Sequence, residues 1–535
     1  MSTKIEKNGE IINSNLQILG RILKSNNGHD IYSFRGIPYA KPPVGRKRFK
    51  DPEPYGKWNN LLDARRDGHI CPQPIKNLNE IKDLTISEDC LTLNVYTKSM
   101  DGNSSVLVFI HGGGYKYGSG NSFSYKPKYL LDNDIVLVTF NYRLGPLGFI
   151  SSGSKHATGN YGFKDQVLVL KWIQNNIHYF GGNPNSVTLI GHSAGAMSAT
   201  LHLVSPMSKN LFHRIVALSG STTSQWPTNN VNLTKILAKS VECPIDHNDE
   251  MIKCLRKKPW EKLIEIGAKW DGNCFPDLEW NYEIEKNFGQ EKFMINHPVI
   301  LFKIGEFHKV PIIIGITKDE YKDQGYILSN NTELLNDISE NFNNIAPKLF
   351  GYGNSNQSDY ISNRFKQSYF NNEKINIESK TKLGDLFSDA VINFSVHRLV
   401  HLASQYINIY YYRFDYKGNY SCATKDNNGK PYFVHHDDTL IYLFNFNDCA
   451  PVFQNRNDSD YNMMKKLNKY LINFARFGNP NMKKNNKREI ICETYWTPTT
   501  KRNIKTFYIN EACETSDPPN EDRLVVWDEL FPINE

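Results

Sequence analysis

The sequence predicts an α/β fold in which a large, mostly parallel central sheet carries helices on both faces. Short, continuous apolar runs rich in β-branched residues recur along the chain, and helical patterns lie between them. Such apolar runs are typical of strands buried on both faces of a parallel sheet, and their alternation with helices is typical of an open α/β sheet. Because no internal repeat or low-complexity linker interrupts the 535 residues, we expect residues 1–535 to form a single domain.

Six apolar runs are predicted strands, and the helical runs between them complete the pattern. The strands are expected at residues 106–110, 135–140, 187–190, 215–218, 311–315 and 407–412. The clearest helical run covers residues 165–174 and stops before the turn-forming sequence Gly181-Gly-Asn-Pro184. Ligands of open α/β sheets bind at the carboxyl ends of the strands, so functional residues are expected there.

The charge and hydropathy of the chain exclude several classes of function. The net charge of +7 is spread along the chain without an aromatic-interleaved basic patch, so no nucleic-acid partner is expected. No run approaches the roughly 20 apolar residues that a membrane helix needs, so no membrane partner is expected. The first forty residues lack the apolar segment of a signal peptide, which favours a cytoplasmic protein, although cysteines able to form disulfides leave secretion open. No pattern indicates an oligomeric state.

A candidate nucleophile lies at the end of the third predicted strand. The sequence Gly191-His-Ser-Ala-Gly195 follows that strand and opens a helical run over residues 194–203. A G-x-S-x-G pattern in this strand–turn–helix context is typical of a serine nucleophile on a sharp turn, with its hydroxyl exposed above the sheet. Ser193 is therefore the predicted nucleophile.

A glycine loop at the end of the first predicted strand could stabilise negative charge. The strand runs directly into His111-Gly112-Gly113-Gly114. Consecutive glycines leave backbone N–H groups unshielded, so they can donate to an oxygen that becomes negative during acyl transfer. The predicted oxyanion hole consists of the N–H groups of Gly113 and Gly114, together with that of Ala194 after the nucleophile.

A serine nucleophile needs a base, and the base needs an acid that orients it. In chain order serine, acid and histidine, the acid is expected after the strand at 311–315, where Asp319 and Glu320 lie. The base is expected after the strand at 407–412, where His435 and His436 precede a helical run at 440–444. Spacing alone does not choose between the two histidines.

Taken together, these segments resemble the type-B carboxylesterase family, which includes cholinesterases and arthropod esterases. The matching segments, almost from end to end, are residues 34–45, 87–96, 109–115, 141–149, 159–166, 180–184, 191–195, 211–214 and 218–221. The resemblance implies an α/β-hydrolase fold and a serine hydrolase of small-molecule carboxylic esters, of the kind used in detoxification. It implies no metal and no organic cofactor.

The resemblance assigns the acid to Glu320 and leaves the base between two residues. This chain has Tyr321 where the family usually carries a glycine after its acid. The family pattern H-x-D-D-L-x-Y-L-F corresponds here to HHDDTLIYLF, which is one residue longer. The H-x-D-D part favours His435, which we take as the predicted base, and the spacing to Tyr442 favours His436 as the alternative.

The resemblance also implies structural features away from the chemistry. Its two small loop disulfides correspond to Cys71–Cys90 and Cys243–Cys254. Its buried ion pairs correspond to Arg48 with Glu88 and Arg143 with Asp165, which we interpret as structural.

Two sequence features bear on the substrate. Cholinesterases place a tryptophan in the first disulfide loop to hold choline by a cation–π contact, and residues 72–89 contain no aromatic residue. His192 stands where cholinesterases carry glutamate and juvenile hormone esterases typically carry glutamine, so neither substrate class is indicated. Two other functions are compatible with the fold, namely a catalytically silent binding or adhesion protein and a slow-turnover protein that sequesters esters.

Overall fold

The computed structural model describes residues 3–6, 9–74, 85–226, 228–269, 280–353, 356–426, 428–446, 449–483, 487–488 and 491–533. The strands are β1 Thr3–Glu6, β2 Glu10–Asn13, β3 Ile18–Lys24, β4 Asp30–Pro38, β5 Leu62–Asp63, β6 Thr92–Thr97, β7 Ser104–Ile110, β8 Val136–Phe140, β9 Gly182–His192, β10 Arg214–Leu218, β11 Ile312–Thr317, β12 Ile409–Phe414, β13 Met482–Lys483, β14 Lys487–Arg488, β15 Thr506–Ile509 and β16 Glu514–Ser516. The α-helices are α1 Gly145–Phe149, α2 Tyr161–Asn176, α3 Ala194–Val204, α4 Asn230–Ser240, α5 Asn248–Lys257, α6 Trp260–Lys269, α7 Pro298–Lys303, α8 Lys322–Ser329, α9 Thr332–Glu340, α10 Phe342–Leu349, α11 Ser358–Phe370, α12 Lys380–Ser388, α13 Phe394–Ala403, α14 Asp438–Phe444, α15 Ser459–Phe477 and α16 Glu521–Leu530.

One large sheet organises the chain. Its strand order is β1-β2-β3-β4-β6-β8-β7-β9-β10-β11-β12-β15-β16, with β5 paired to β3. The strands from β8 to β15 in this order are parallel, and the two ends of the sheet are antiparallel. The predicted α/β fold with a mostly parallel sheet and helices is confirmed.

The parallel part of the sheet brings distant segments together at one edge. The six predicted strands are confirmed as β7 to β12, and the predicted helix at 165–174 lies within α2. Because β7, β9, β10, β11 and β12 are consecutive parallel neighbours, their carboxyl ends meet at the same edge. Residues 111–114 follow β7, residue 193 follows β9, and residues 318–320 follow β11. The chain that leaves β12 reaches residues 435–436 further on.

Both faces of the sheet are buried, as the continuous apolar runs predict. On β7, the side chains of Val106, Val108 and Ile110 belong to one apolar cluster, and those of Leu107 and Phe109 belong to another. Successive side chains of a strand point to opposite faces, so the two clusters are the cores on the two sides of the sheet. A third apolar cluster lies among helices α8 to α13 and the C-terminal α16.

Two buried ion pairs brace this framework, as the resemblance implied. Arg143 binds Asp165 through two hydrogen bonds of 2.8 and 2.7 Å, and their side chains are 4% and 0% exposed. Arg48 likewise binds Glu88 through two side-chain hydrogen bonds. Removing one partner of a buried pair leaves an uncompensated charge, which costs about 3–5 kcal/mol. We interpret both pairs as structural.

Four disulfides link described cysteines: Cys71–Cys90, Cys243–Cys254, Cys422–Cys449 and Cys492–Cys513. The first two are the pairs that the family resemblance implies, and the last two are not expected from the sequence. Cys274, the ninth cysteine, lies outside the described residues. Structural disulfides persist in oxidising compartments and are rare in the cytosol. They therefore count against the cytoplasmic location favoured by the first forty residues.

In the part of the chain that the structure describes, no helix has both the length and the apolar character required to cross a bilayer.

The disulfides predict a specific pattern of thiol chemistry. Since eight of the nine cysteines are paired, we expect the denatured, unreduced protein from a eukaryotic secretory expression system to take up at most one alkyl group per chain. After reduction, all nine should react. Intact-protein mass spectrometry measures both numbers, and several free thiols before reduction would contradict the pairing.

Candidate active site

Ser193 occupies a sharp turn between a strand and a helix. Strand β9 ends at His192, helix α3 begins at Ala194, and Ser193 between them has φ 56° and ψ −123°. A non-glycine residue in such a sparsely populated region costs about 1–3 kcal/mol, and the surrounding structure must hold it there. The Ser193 N–H donates to the carbonyl oxygen of Leu218, at the end of β10, over 2.9 Å. The serine is thus fixed at the carboxyl edge of the sheet.

The glycines of the turn permit close packing against β7. A Cβ on Gly195 would lie 2.0 Å from the carbonyl oxygen of Ile110, the last residue of β7. Any larger residue at 195 would push the start of α3 away from that strand. The first turn of α3 therefore lies directly beside the loop that leaves β7.

The glycine loop after β7 contacts the serine itself. A Cβ on Gly112 would lie 3.0 Å from Ser193 Cβ and 2.8 Å from the carbonyl oxygen of His192. Gly113 and Gly114 have φ values of 107° and 58°, in the left-handed region that favours glycine. The loop that holds the predicted N–H donors is therefore in contact with the predicted nucleophile.

Gln73 holds the far side of the same loop. Its side-chain amide donates to the carbonyl oxygen of Gly118 over 2.9 Å, and its side-chain oxygen accepts from the Gly118 N–H over 2.9 Å. The N–H groups of Lys116 and Tyr117 both donate to the Gly113 carbonyl oxygen. These bonds turn the Gly113 carbonyl into the loop and fix the backbone on which the N–H donors lie.

Glu320 lies after β11 and is buried. Its Oε1 accepts from the N–H of Thr317, the last residue of β11, over 2.7 Å. Its Oε2 lies 2.5 Å from Nδ1 of His436. The side chain of Glu320 is fully buried and that of His436 is 6% exposed. The carboxylate is therefore held by its own strand end and directed at one histidine ring.

Backbone pairing explains why Glu320 meets His436 and not His435. The Asp319 N–H donates to the Val434 carbonyl oxygen over 3.1 Å, and the His436 N–H donates to the Glu320 carbonyl oxygen over 3.2 Å. This pairing sets the register between the two segments, so His436 is opposite Glu320 and its neighbour points elsewhere. In the structure, Glu320 is therefore bonded to His436, the alternative base, and not to His435, which the H-x-D-D pattern favoured.

His435 has a different electrostatic environment. Its Nε2 lies 3.4 Å from Oδ2 of Asp323, on α8. Burial alone would lower the pKa of His435, but the hydrogen bond to Asp323 and the charges of Asp437 and Asp438 outweigh it and raise the pKa to about 9. His435 is therefore a cation at neutral pH and cannot accept a proton there.

His436 has one ring nitrogen available for chemistry. Its Nδ1 is bound to Glu320, while its Nε2 is buried without a hydrogen-bond partner among the described residues. His192 Nε2 donates to the His436 carbonyl oxygen over 3.0 Å, and the two rings lie 4.6 Å apart. Burial lowers the pKa of His192 to about 4, so its ring is neutral beside the base.

Tyr321 completes the surroundings of His436, a position that no local sequence pattern indicates. Its ring lies 4.8 Å from the His436 ring at an angle of 34°, and its hydroxyl lies near the Ser193 side chain. Its φ of −115° is ordinary for any residue, so the turn after Glu320 does not require a glycine here. The sequence shows that Tyr321 replaces the glycine usual in the family, but it does not show that the tyrosine lies next to His436.

Among the described residues, two groups each contain three side chains whose possible metal-binding atoms lie within 4.8 Å of one another. The first group is His192, His436 and Asp437, and the second is His397, His401 and Glu521. In the first group, His436 Nδ1 and His192 Nε2 are already bound to Glu320 and to a carbonyl oxygen.

The environment of His435 predicts how stability depends on pH. Its folded pKa of about 9 lies above the value of roughly 6.5 for an unfolded imidazole. Its stabilisation is therefore fully present below pH 6.5 and is lost as the pH rises through 9. We expect the free energy of unfolding to fall on the order of 1–3 kcal/mol over that interval, measured by urea unfolding at constant ionic strength.

The control for this prediction is an exposed histidine. His435→Gln should flatten the decline between pH 6.5 and 9, whereas His178→Gln on the surface should leave it unchanged. Equal slopes in the wild type and His435→Gln would show that His435 is not the titrating group.

Comparison with known proteins places this geometry in a family. A family model described as the carboxylesterase family matches residues 10–527. The chain is 39% identical over 424 residues to Esterase E4 of Myzus persicae, covering 76% of this chain and 74% of that protein. It is 35% identical over 495 residues to juvenile hormone esterase of Tribolium castaneum, covering 88% of this chain and 83% of that protein.

A solved structure shares the whole fold. The crystal structure of juvenile hormone esterase from Manduca sexta, with OTFP covalently attached, has a TM-score of 0.85 and 26% sequence identity, and the match covers 99% of each chain. With a strand–serine–helix turn beside a glycine loop and a family match over nearly the entire length, the chain belongs to the carboxylesterase family and is a carboxylic-ester hydrolase of the α/β-hydrolase fold.

Proposed function

We propose that Ser193, His436 and Glu320 hydrolyse carboxylic esters through a covalent acyl-enzyme. The observation that carries the proposal is the Glu320–His436 hydrogen bond of 2.5 Å, which leaves His436 Nε2 available at the edge of the sheet where Ser193 lies. A base must be unprotonated to accept the serine proton, which excludes the cationic His435 from this role. The assignment therefore replaces His435 by His436.

In the acylation step, Ser193 Oγ attacks the ester carbonyl carbon while its proton passes to His436 Nε2. The carbonyl electron pair moves to oxygen and gives a tetrahedral oxyanion. When the intermediate collapses, the bond to the alkoxy oxygen breaks and that oxygen takes the proton from His436. Alcohol leaves, and the acyl group remains on Ser193. Glu320 holds Nδ1–H of the ring and stabilises the imidazolium that exists between the two proton transfers.

The oxyanion is proposed to accept hydrogen bonds from the N–H groups of Gly113, Gly114 and Ala194. Two contacts support this assignment: Gly112 lies against Ser193, and Gly195 lies against the end of β7. The first N–H groups of a helix have no partner within the helix, and the N-terminus of a helix favours negative charge. The start of α3 is therefore also expected to stabilise the oxyanion. Loss of one such donor costs on the order of 10²–10³ in kcat in a protease precedent.

Deacylation repeats the chemistry with water. A water molecule attacks the acyl carbon and gives a proton to His436, and collapse of the second intermediate returns that proton to Ser193 Oγ. The carboxylic acid leaves, so each cycle consumes one ester and one water and produces one acid and one alcohol.

The substrate is proposed to be a small, uncharged ester. The cholinesterase-type cation site is not supported by the sequence of the Cys71–Cys90 loop, although residues 75–84 of that loop lie outside the described residues. Two of the related proteins are named juvenile hormone esterase, and this chain differs from the pattern of that class by carrying His192 before the nucleophile.

We infer that the chain folds in an oxidising compartment. Four disulfides among the described cysteines support secretion over a reducing cytosol.

The triad assignment predicts which variants lose hydrolysis of a simple aryl acetate. Ser193→Ala and His436→Gln should each lower kcat by about 10⁴-fold or more, because the members of a triad act as a unit. His435→Gln is the matched control, since it removes the adjacent imidazole, and its kcat should stay within about tenfold of the wild type at pH 7.

Circular dichroism and melting temperature establish that each variant is folded. Undiminished turnover in folded Ser193→Ala would contradict the assignment of the nucleophile. A larger loss of kcat in His435→Gln than in His436→Gln would identify His435 as the base. A catalytically silent binding protein would show no turnover in the wild type, and a sequestering protein would show a burst of alcohol followed by slow release of acid.

A further inference from the structure

Two aromatic side chains contact the imidazole of His436, and both differ from the family residues noted above. The ring of Tyr321 lies 4.8 Å from it, at an interplanar angle of 34°. The ring of His192 lies 4.6 Å from it, at 45°. Neither ring belongs to the proposed triad, and each comes from a residue directly next to a triad member in sequence.

The surrounding contacts fix Tyr321 in this position. Its N–H donates to Oγ of Ser388 over 3.0 Å, and Ser388 Oγ in turn donates to the Gly384 carbonyl oxygen on α12. Gly325 and Gly384 allow α8 and α12 to approach closely, because a Cβ on either would lie within 2.6 Å of backbone atoms of the other helix. The backbone that carries the tyrosine is therefore anchored to α12.

We propose that Tyr321 is a positioning residue whose ring orients His436 and stabilises its protonated form during catalysis. This inference rests on the proposed function, because it requires His436 to become an imidazolium in the transition state. It assigns the effect to the aromatic ring and not to the phenolic hydroxyl.

The physical basis is the charge distribution of an aromatic ring. The face of a tyrosine ring is negative and attracts a cation within about 6 Å, most strongly where water is excluded. A general base becomes positive when it takes the serine proton, so the attraction between the ring and the imidazolium favours the transition state over the ground state. The side chain of His436 is 6% exposed, so water contributes little to solvating that charge.

The other titratable groups near His436 allow the effect of Tyr321 to be isolated. Glu320 lies on Nδ1, while the charge of Asp437 and the rings of His192 and His435 are also close. None of these groups changes when residue 321 alone is replaced, and the contribution of the hydroxyl near Ser193 is measured separately with Tyr321→Phe. Burial keeps the pKa of the Tyr321 phenol well above its ordinary value, so the hydroxyl stays neutral throughout the working pH range.

The test compares Tyr321→Leu, which keeps apolar bulk without a π face, with Tyr321→Phe, which keeps the ring without the hydroxyl. We expect Tyr321→Leu to lower kcat for an aryl acetate by about 3- to 30-fold. The acidic limb of its kcat/KM profile should move to lower pH by about 0.5–1.5 units, because the imidazolium has lost stabilisation. Tyr321→Phe should retain the wild-type acidic limb, and any change in its kcat measures the loss of the hydroxyl near Ser193.

Tyr326→Leu is the matched control. Tyr326 lies on the same helix, α8, and its ring packs at 4.9 Å on Phe433, so it removes a ring–ring contact that does not involve His436. Its kcat and acidic limb should match those of the wild type. If Tyr321→Leu proves unstable, as judged by its melting temperature, the Tyr321→Phe profile still decides whether the ring alone is sufficient.

Three results overturn the inference: a wild-type acidic limb in Tyr321→Leu, a displaced limb in Tyr326→Leu, or an acidic limb in Tyr321→Phe that is displaced as far as that in Tyr321→Leu. Ser193→Ala measured in the same assay separates this inference from the proposed function. Hydrolysis that persists without Ser193 defeats the proposed function, whereas Ser193-dependent hydrolysis that is indifferent to residue 321 defeats only the role of Tyr321.

Discussion

The candidate site depends on the backbone pairing of two short segments that are more than a hundred residues apart in sequence. The Asp319 N–H binds the Val434 carbonyl oxygen, and the His436 N–H binds the Glu320 carbonyl oxygen. A shift of this pairing by one residue would place His435 opposite Glu320 in place of His436. Two main-chain hydrogen bonds thus determine which histidine is coupled to the carboxylate.

The sheet makes that pairing possible. Strands β7, β9 and β11 are separated in sequence by loops and helices, yet their parallel arrangement places their carboxyl ends at one edge. Each end delivers a different chemical group: a glycine loop after β7, a serine on a strained turn after β9, and a carboxylate after β11. The disulfides and the buried Arg143–Asp165 pair cross-link segments of the framework around the sheet.

Much of this could be predicted from the sequence, because β-branched runs and glycine patterns have direct structural causes. The strands β7 to β12, Ser193 and the glycine loop follow from local patterns in the chain, and the choice of Glu320 over Asp319 follows from the family resemblance. The choice between His435 and His436 could not be predicted, since adjacent residues share their sequence context and only the pairing with residues 319–320 separates them. The roles of Tyr321 and of Cys422–Cys449 also depend on contacts between distant segments, which local patterns do not reveal.

A crystal structure of the protein after reaction with an organophosphonate tests the central claim most directly, because the adduct imitates the tetrahedral intermediate. The account predicts density continuous from Ser193 Oγ to phosphorus, with the phosphonyl oxygen within hydrogen-bonding distance of the N–H groups of Gly113, Gly114 and Ala194. It also predicts His436 Nε2 beside the adduct, with Nδ1 still on Glu320. Attachment at another residue, or His435 in the place of His436, would contradict it.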